Sequence, residues 1–434
     1  MTKSNNLIVN KSKPLLGNIQ IPGDKSISHR SIIIGSLCEG NLTISNFLPS
    51  NDCLATVSAM RQLGVDISVE QDKVNLTGNG LLGLKSPSSS IDAGNSGTLI
   101  RLLCGLLAAQ DFNSSLTGDD SLKKRPMARI IKPLMTCGAK IDSCDSKAPL
   151  TIYGSSSLSA INYIQDIASA QVKSCLILAG MFVNTESKFY EKIPTRDHTE
   201  NLLEHFNYDI NREENSFSFK GGQSFKANDI EIGSDISSAS FFIVAALILE
   251  GSAIEMENIN INKYRTGIVH ILKEMGADIE ISNIKKVSNE LVGDIRVRYS
   301  KLTPIDIDTD IIPSLIDELP IIFIACATAA GVSKINGIEE LRYKESDRIK
   351  AMEDGLRAIG VSVSSTKDSI EIVGGKISGG KVDSYDDHRI AMSFAIAGLI
   401  SDHSLTITNT RNIPTSFPSF VSILRELGAE IFEV

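Results

Sequence analysis

Arg61-Gln62-Leu63-Gly64-Val65-Asp66-Ile67 reads as a helix end, a glycine stop and a strand start. Glycine just past the last helical residue takes the left-handed turn that closes a helix. The pattern returns as Met135-Thr136-Cys137-Gly138-Ala139-Lys140-Ile141, His205-Phe206-Asn207-Tyr208-Asp209-Ile210, Lys273-Glu274-Met275-Gly276-Ala277-Asp278-Ile279, Arg357-Ala358-Ile359-Gly360-Val361-Ser362-Val363 and Arg425-Glu426-Leu427-Gly428-Ala429-Glu430-Ile431. In one copy asparagine, the next best left-handed residue, replaces the glycine. The copies lie about 70 residues apart, a spacing suited to repeated supersecondary units.

A second marker alternates with the first. It is an acidic or Gly/Ser-rich turn followed by an apolar helix of small residues, at 23–37, 92–107, 166–181, 233–249, 317–330 and 386–400. Each repeat therefore reads strand–helix–strand–helix–strand(s), and six repeats give two domains of three. Phe241-Phe242-Ile243-Val244-Ala245-Ala246-Leu247-Ile248-Leu249 is apolar on every side, so its helix must be buried on every side. The predicted fold class is α/β, two domains of three strand–helix repeats each, helices inside and sheets outside. The boundary falls near Glu231-Ile232-Gly233, and the N-terminal strand crosses over. One domain is then 1–22 plus 235–434 and the other 23–234.

The 434 residues are 42% hydrophobic and 22% charged, enough for packed cores, with a formal net charge of −9. That charge argues against nucleic acid and anionic membrane as partners. Met1 to Asn6 are polar, no apolar run suits a bilayer span, and the seven cysteines never form CxxC. A reduced cytoplasmic protein is expected, without metal.

Within an acidic chain, cations gathered in Gly/Ser turns carry information. Gly23-Asp24-Lys25-Ser26-Ile27-Ser28-His29-Arg30 follows a short strand and opens an apolar helix. A helix start offers unpaired N–H groups to an anion, and Lys25, Ser26, Ser28 and Arg30 add donors there. The glycine lets backbone approach a ligand closely. A phosphate or carboxylate site and a merely capped helix are both open readings. Asp92-Ala93-Gly94-Asn95-Ser96-Gly97-Thr98 leads into Arg101, one turn on and on the same face. Ser169, Gln171 and Lys173 stand at another start, and Asp386-Asp387-His388-Arg389 at a third. All lie at the same end of equivalent helices, so a repeat fold brings them together. Lys123-Lys124-Arg125-Pro126-Met127 and Arg196-Asp197-His198-Thr199-Glu200 precede further helices. In Leu341-Arg342-Tyr343-Lys344-Glu345-Ser346-Asp347-Arg348, Lys344 and Arg348 are four apart, on one helical face. Asp317, in Asp317-Glu318-Leu319-Pro320 before the apolar run Ile321-Ile322-Phe323-Ile324-Ala325, reads as an N-cap, structural by default and a general base if anions bind nearby.

Together GDKSISHR, DAGNSGTLIR, KRPM, SAQVK, RDHTE, DELP, EELRYKESDR, YDDHR and TSFP resemble the 3-phosphoshikimate 1-carboxyvinyltransferase (5-enolpyruvylshikimate-3-phosphate synthase) family over essentially the whole chain. The resemblance implies enolpyruvyl transfer from phosphoenolpyruvate to the 5-hydroxyl of shikimate 3-phosphate, with no cofactor, by a monomer whose two three-repeat domains close over an active site in the cleft between them. It implies that Lys25, Ser26, Arg30, Ser169, Ala170, Gln171, Arg196, Asp317 and Lys344 hold shikimate 3-phosphate. Phosphoenolpyruvate falls to Lys25, Asn95, Gly97, Arg125, Gln171, Arg348 and Arg389. Asp317 is the implied base, and Glu345 or Lys25 the acid. SAQVK and RDHTE look like the family's second class, associated with glyphosate tolerance, but that class has alanine where Gly97 stands and threonine where Tyr264 stands. Many members also carry a lysine before the TSFP-like segment, where this chain has Ile413-Pro414. Two rival readings are the UDP-N-acetylglucosamine enolpyruvyl transferase and, without catalysis, a repeat-built ring such as a DNA clamp. The transferase uses a Lys-Asn pair where this chain has Lys25-Ser26, and clamp helices display basic residues where these are apolar.

Overall fold

The computed structural model describes residues 5–434. The polar start noted in the sequence lies outside them up to Ser4. All six predicted helix stops are present. Gly64, Gly138, Asn207, Gly276, Gly360 and Gly428 have φ of +86°, +95°, +57°, +93°, +86° and +90°. In each copy the next residue's N–H reaches back to a carbonyl of the last turn, as Val65 N does to Met60 O and Tyr208 N to Leu203 O, at 3.1 and 2.9 Å. That is the paired closure of a helix by a left-handed residue.

Six four-stranded sheets follow the six repeats. One runs Ile91–Asp92, Ser114–Thr117, Lys147–Tyr153, Lys140–Cys144, its first pair parallel and the rest antiparallel. Three sheets are completed by strands distant in sequence. Leu16–Ile19 pairs in parallel with Ala253–Asn260. Ile230–Glu231 pairs in parallel with Glu39–Ser45. Asn6–Val9 fills the middle of the last sheet, between Leu405–Thr408 and Ile431–Glu433.

The chain divides into two compact units. The first takes the chain up to Pro22, Ser234–Lys285 and Leu291–Val434; the second takes Gly23–Gly233 and Lys286–Glu290. At the centre of the first stand helices Ile236–Ile248, Leu319–Thr328 and His388–Gly398; every residue of Ile236–Ile248 is buried. Helices Lys25–Gly35, Gly97–Ala108 and Ala170–Gly180 play the same part in the second. Sheet strands alternate instead, as in the exposed–buried pattern of Lys147–Tyr153, so one face covers the helices and the other meets water. Each large apolar side chain so buried contributes about 1.5–3 kcal/mol, which is why helices without a polar face are tolerated here. Among the described residues no helix is long and apolar enough to cross a membrane.

Candidate active site

In the second unit the donors predicted at helix starts are held by defined partners. Asp24 caps the helix Lys25–Gly35, its carboxylate accepting from Ile27 N at 2.9 Å. Lys25 Nζ pairs with Asp52 Oδ2 at 2.5 Å, and Ser26 beside it is half-buried. Arg30 is buried and spans three helices: Nη1 donates to Ser26 O at 2.9 Å, Nε to Thr199 Oγ1 at 2.8 Å and Nη2 to Ser174 Oγ at 2.7 Å. The glycine of this motif serves the fold, contrary to the close ligand approach expected of it. A Cβ on Gly23 would stand 1.7 Å from the Asn46 carbonyl oxygen, so the chain's own backbone fills that space.

The other two helix starts of this unit are joined side chain to side chain. Ser169 caps its helix, accepting from Val172 N, and is followed by half-buried Ala170 and Gln171. Gln171 Oε1 accepts from Arg101 Nη1 at 2.6 Å, and Gln171 Nε2 donates to Thr98 Oγ1 at 3.0 Å. Thr98 and Arg101 thus share a helical face, as their spacing predicts, and Gln171 reads both. Asn95 is a relay: Nδ2 donates to Asp119 Oδ2 at 2.7 Å while Oδ1 accepts from Arg125 Nη2 at 2.7 Å. Gly97 lies under these cations, where a Cβ would meet Arg125 Nη1 at 2.9 Å and Arg101 Nη1 at 3.0 Å. Arg196 precedes the helix His198–His205 and is half-buried. Lys173 takes another course: its buried ammonium pairs with Glu191 at 2.9 Å and Glu200 at 2.8 Å and is a structural anchor.

The first unit carries the complementary set. Asp317 is not the N-cap expected of it. That place belongs to Glu318, whose side chain makes no capping bond, and Asp317 lies in the turn before. Its Oδ1 is 3.3 Å from Lys344 Nζ and 3.9 Å from Arg348 Nη1. Its backbone carbonyl accepts from Arg389 Nη1 at 2.7 Å. Nor do Lys344 and Arg348 share a helix. A 3₁₀ turn ends at Tyr343, and the helix begins at Arg348 with Asp347 as its cap. Both cations still reach Asp317, from either end of the irregular segment between the two helical elements. Glu345 Oε2 lies 2.5 Å from Arg348 Nη2.

Arg348 is buried against Asp387, with Nε donating to Oδ2 at 2.8 Å. Burial alone would lower the arginine's pKa, but Asp387, Glu345 and Asp317 outweigh it and raise it. Burial likewise pushes Asp387 up, and Arg348 more than reverses that, holding it below the usual range. Asp387 also caps the helix His388–Gly398, accepting from Arg389 N at 2.9 Å. One carboxylate thus fixes the Arg348 guanidinium and the backbone start of the helix that carries Arg389. No sequence motif marks Asp52 or Asp119, the partners of Lys25 and Asn95. Among the described residues no group of three or more His, Cys, Asp or Glu is arranged to hold a metal.

The family model of EPSP synthase (3-phosphoshikimate 1-carboxyvinyltransferase) matches residues 9–424. The chain belongs to the EPSP synthase family. It is 49% identical to the 3-phosphoshikimate 1-carboxyvinyltransferase of Coxiella burnetii (strain CbuK_Q154), over 97% of this chain and 96% of that one. It is also 49% identical to the enzyme of the same name from Legionella pneumophila subsp. pneumophila (strain Philadelphia 1), over 97% and 98%. A solved EPSP synthase from Acinetobacter baumannii has its fold, with a TM-score of 0.88 at 43% identity and 99% of both chains covered. The activity is the enolpyruvyl transfer of the shikimate pathway, from phosphoenolpyruvate to shikimate 3-phosphate. Ile413-Pro414 lies inside a 3₁₀ segment, Thr410–Thr415, where the resemblance leads one to expect a lysine.

Proposed function

We propose that the two residue sets, both on one chain, act in this one reaction. The family's substrate contacts are carried over residue by residue. Lys25, Ser26, Arg30, Ser169, Ala170, Gln171, Arg196, Asp317 and Lys344 bind shikimate 3-phosphate. Lys25, Asn95, Gly97, Arg125, Gln171, Arg348 and Arg389 bind phosphoenolpyruvate. Planar guanidinium forks suit its carboxylate and phosphate, and two are already aimed, Arg125 by Asn95 and Arg348 by Asp387.

The observation that carries this reading is Asp317, a carboxylate bracketed by Lys344 and Arg348 in a turn to which Arg389 is also bonded. This carboxylate is the general base of the proposed reaction. It takes the proton of the 5-hydroxyl as that oxygen attacks C2 of phosphoenolpyruvate. Glu345 or Lys25 delivers a proton to the C3 methylene, giving a tetrahedral ketal phosphate. Return of a C3 proton to the protein and departure of inorganic phosphate form the enolpyruvyl ether. The clustered cations stabilise charge on the leaving phosphate.

The test is phosphate release from phosphoenolpyruvate, with and without shikimate 3-phosphate. Release that depends on shikimate 3-phosphate is expected. Release that depends instead on UDP-N-acetylglucosamine, or no release with either acceptor, overturns the proposal.

A further inference from the structure

Behind the turn that carries Asp317 lies a buried polar chain with no part in the reaction above. The side chain of Glu318 is 0% exposed. Its Oε1 accepts from the Ser237 hydroxyl and stands 3.6 Å from Arg389 Nη1. Its Oε2 accepts no hydrogen bond from the described residues. The Ser237 oxygen accepts in turn from Arg265 Nη2, which also donates to Asp235 Oδ1 at 3.2 Å. Asp235 caps the helix Ile236–Ile248, accepting from Ser237 N at 2.9 Å. Arg265 and Asp235 are 2% and 5% exposed. All these residues belong to the first unit.

A buried carboxylate is costly unless a cation and hydrogen bonds compensate it. Arg389 approaches Glu318 directly, whereas Arg265 reaches it through Ser237. Glu318 is also adjacent to Asp317, whose carbonyl accepts from the same Nη1 of Arg389 at 2.7 Å. One nitrogen thus faces two acceptors from consecutive residues, one of them ionic and fixed from behind. A flexible arginine held in this way keeps its remaining donors aimed outward, and less freedom is lost when a ligand arrives.

We propose that Glu318 is a positioning residue for Arg389: its buried carboxylate, steered by Ser237 and Arg265, holds the guanidinium that takes phosphoenolpyruvate. The inference deepens the proposed function and rests on Arg389 as a phosphoenolpyruvate ligand. It also fixes a sign. By charge alone, removing Glu318's charge makes the site more positive and tightens an anion. By positioning, removing it loosens Arg389 and weakens that anion.

The experiment is steady-state kinetics with phosphoenolpyruvate varied at saturating shikimate 3-phosphate, on Glu318→Gln, Arg389→Lys, the double variant and Ser237→Ala. Glu318→Gln is expected to raise KM for phosphoenolpyruvate roughly ten-fold, a fraction of the hundred-fold that an ångström of misplacement costs. kcat and KM for shikimate 3-phosphate should move much less. In the Arg389→Lys background Glu318→Gln should add nothing, because both act through one guanidinium. An unchanged or lowered KM, or a fully additive double variant, overturns the inference. If Arg389→Lys itself leaves KM for phosphoenolpyruvate unchanged, the ligand assignment fails instead. Should Glu318→Gln not fold, Ser237→Ala decides: a smaller rise confined to the same KM supports the link, and no rise overturns it.

Discussion

Lys344 Nζ stands 3.3 Å from Asp317 Oδ1 although 27 residues separate them in sequence. The two side chains are 28% and 17% exposed, so they stay within reach of solvent and of a ligand. A pair this open adds less than about 1 kcal/mol to stability, and Asp317 caps no helix. The fold and the proposed base role are therefore separable at this residue.

Asp317→Asn is expected to fold normally and to lower kcat at least about a hundred-fold, the smaller end of what a general base supplies. Binding of shikimate 3-phosphate should change much less, since an amide keeps the shape and still accepts hydrogen bonds. kcat, the dissociation constant and Tm measured on one preparation check this. Near-normal kcat, or a loss that follows Tm, refutes the base assignment.

Gly97→Ala separates the same quantities differently. Gly97 opens the helix Gly97–Ala108, and alanine there favours the helix by up to about 1 kcal/mol. Its methyl would press on Arg125 Nη1 at 2.9 Å and Arg101 Nη1 at 3.0 Å. Guanidinium tips can yield, but only by leaving the positions that Asn95 and Gln171 give them. Tm should hold or rise, while KM for phosphoenolpyruvate rises about ten-fold, within the range for sub-ångström displacement of a binding group. A variant with normal KM would show that these arginines are not tuned to that substrate.

The fold was legible because its markers are local. One helix in each repeat ends on a left-handed residue, a conformation that glycine and asparagine adopt most easily, so six such stops stand in the chain itself. The cations proposed for the site were conspicuous for a related reason, since Lys25, Arg125 and Arg389 stand out in turns of an acidic protein. Their partners were not. Arg30 meets Thr199 across 169 residues and Arg101 meets Gln171 across 70, and no periodicity records such meetings. Lys344 and Arg348 miss the common helical face their spacing suggests because of Asp347. That residue leaves helical geometry, at φ −71° and ψ 89°, to cap Lys350 N. Gly23 misled in another way: the close approach it permits is made by Asn46 and not by a ligand.

Cysteine reactivity tests whether any thiol takes part in the chemistry. Cys144 is exposed; Cys38, Cys53, Cys104, Cys137, Cys175 and Cys326 are buried. Burial pushes Cys38 up to about 11, and Cys53, Cys104 and Cys326 up to about 12, leaving almost no thiolate at neutral pH. A thiol reagent should label one cysteine rapidly in the native protein and all seven in denaturant. Activity should survive the native labelling. Rapid labelling of a second thiol with loss of turnover would reopen a catalytic cysteine.

His29, inside the motif that carries Lys25 and Arg30, sets a pH limit on stability. Its ring is fully buried, with Nδ1 2.6 Å from Thr56 Oγ1 and no hydrogen bond at Nε2 from the described residues. Burial, and then the positive charges of Lys25 and Arg30, hold its pKa well below the ordinary histidine value. As pH falls below about 6.5, the unfolded chain therefore takes up a proton that the folded chain refuses. Stability rises with pH wherever the unfolded state binds more protons, so here it is lost on acidification, by up to about 1.4 kcal/mol per pH unit. His29→Asn keeps a polar group for Thr56 and cannot titrate. The variant should be less stable overall, since an amide fills a ring's space poorly, yet its stability should fall less on acidification. Urea unfolding of both proteins at about pH 7.5 and about pH 5.5 measures the two slopes. Equal slopes would mean that His29 accepts its proton within the folded protein, and that its burial against Thr56 imposes no such limit.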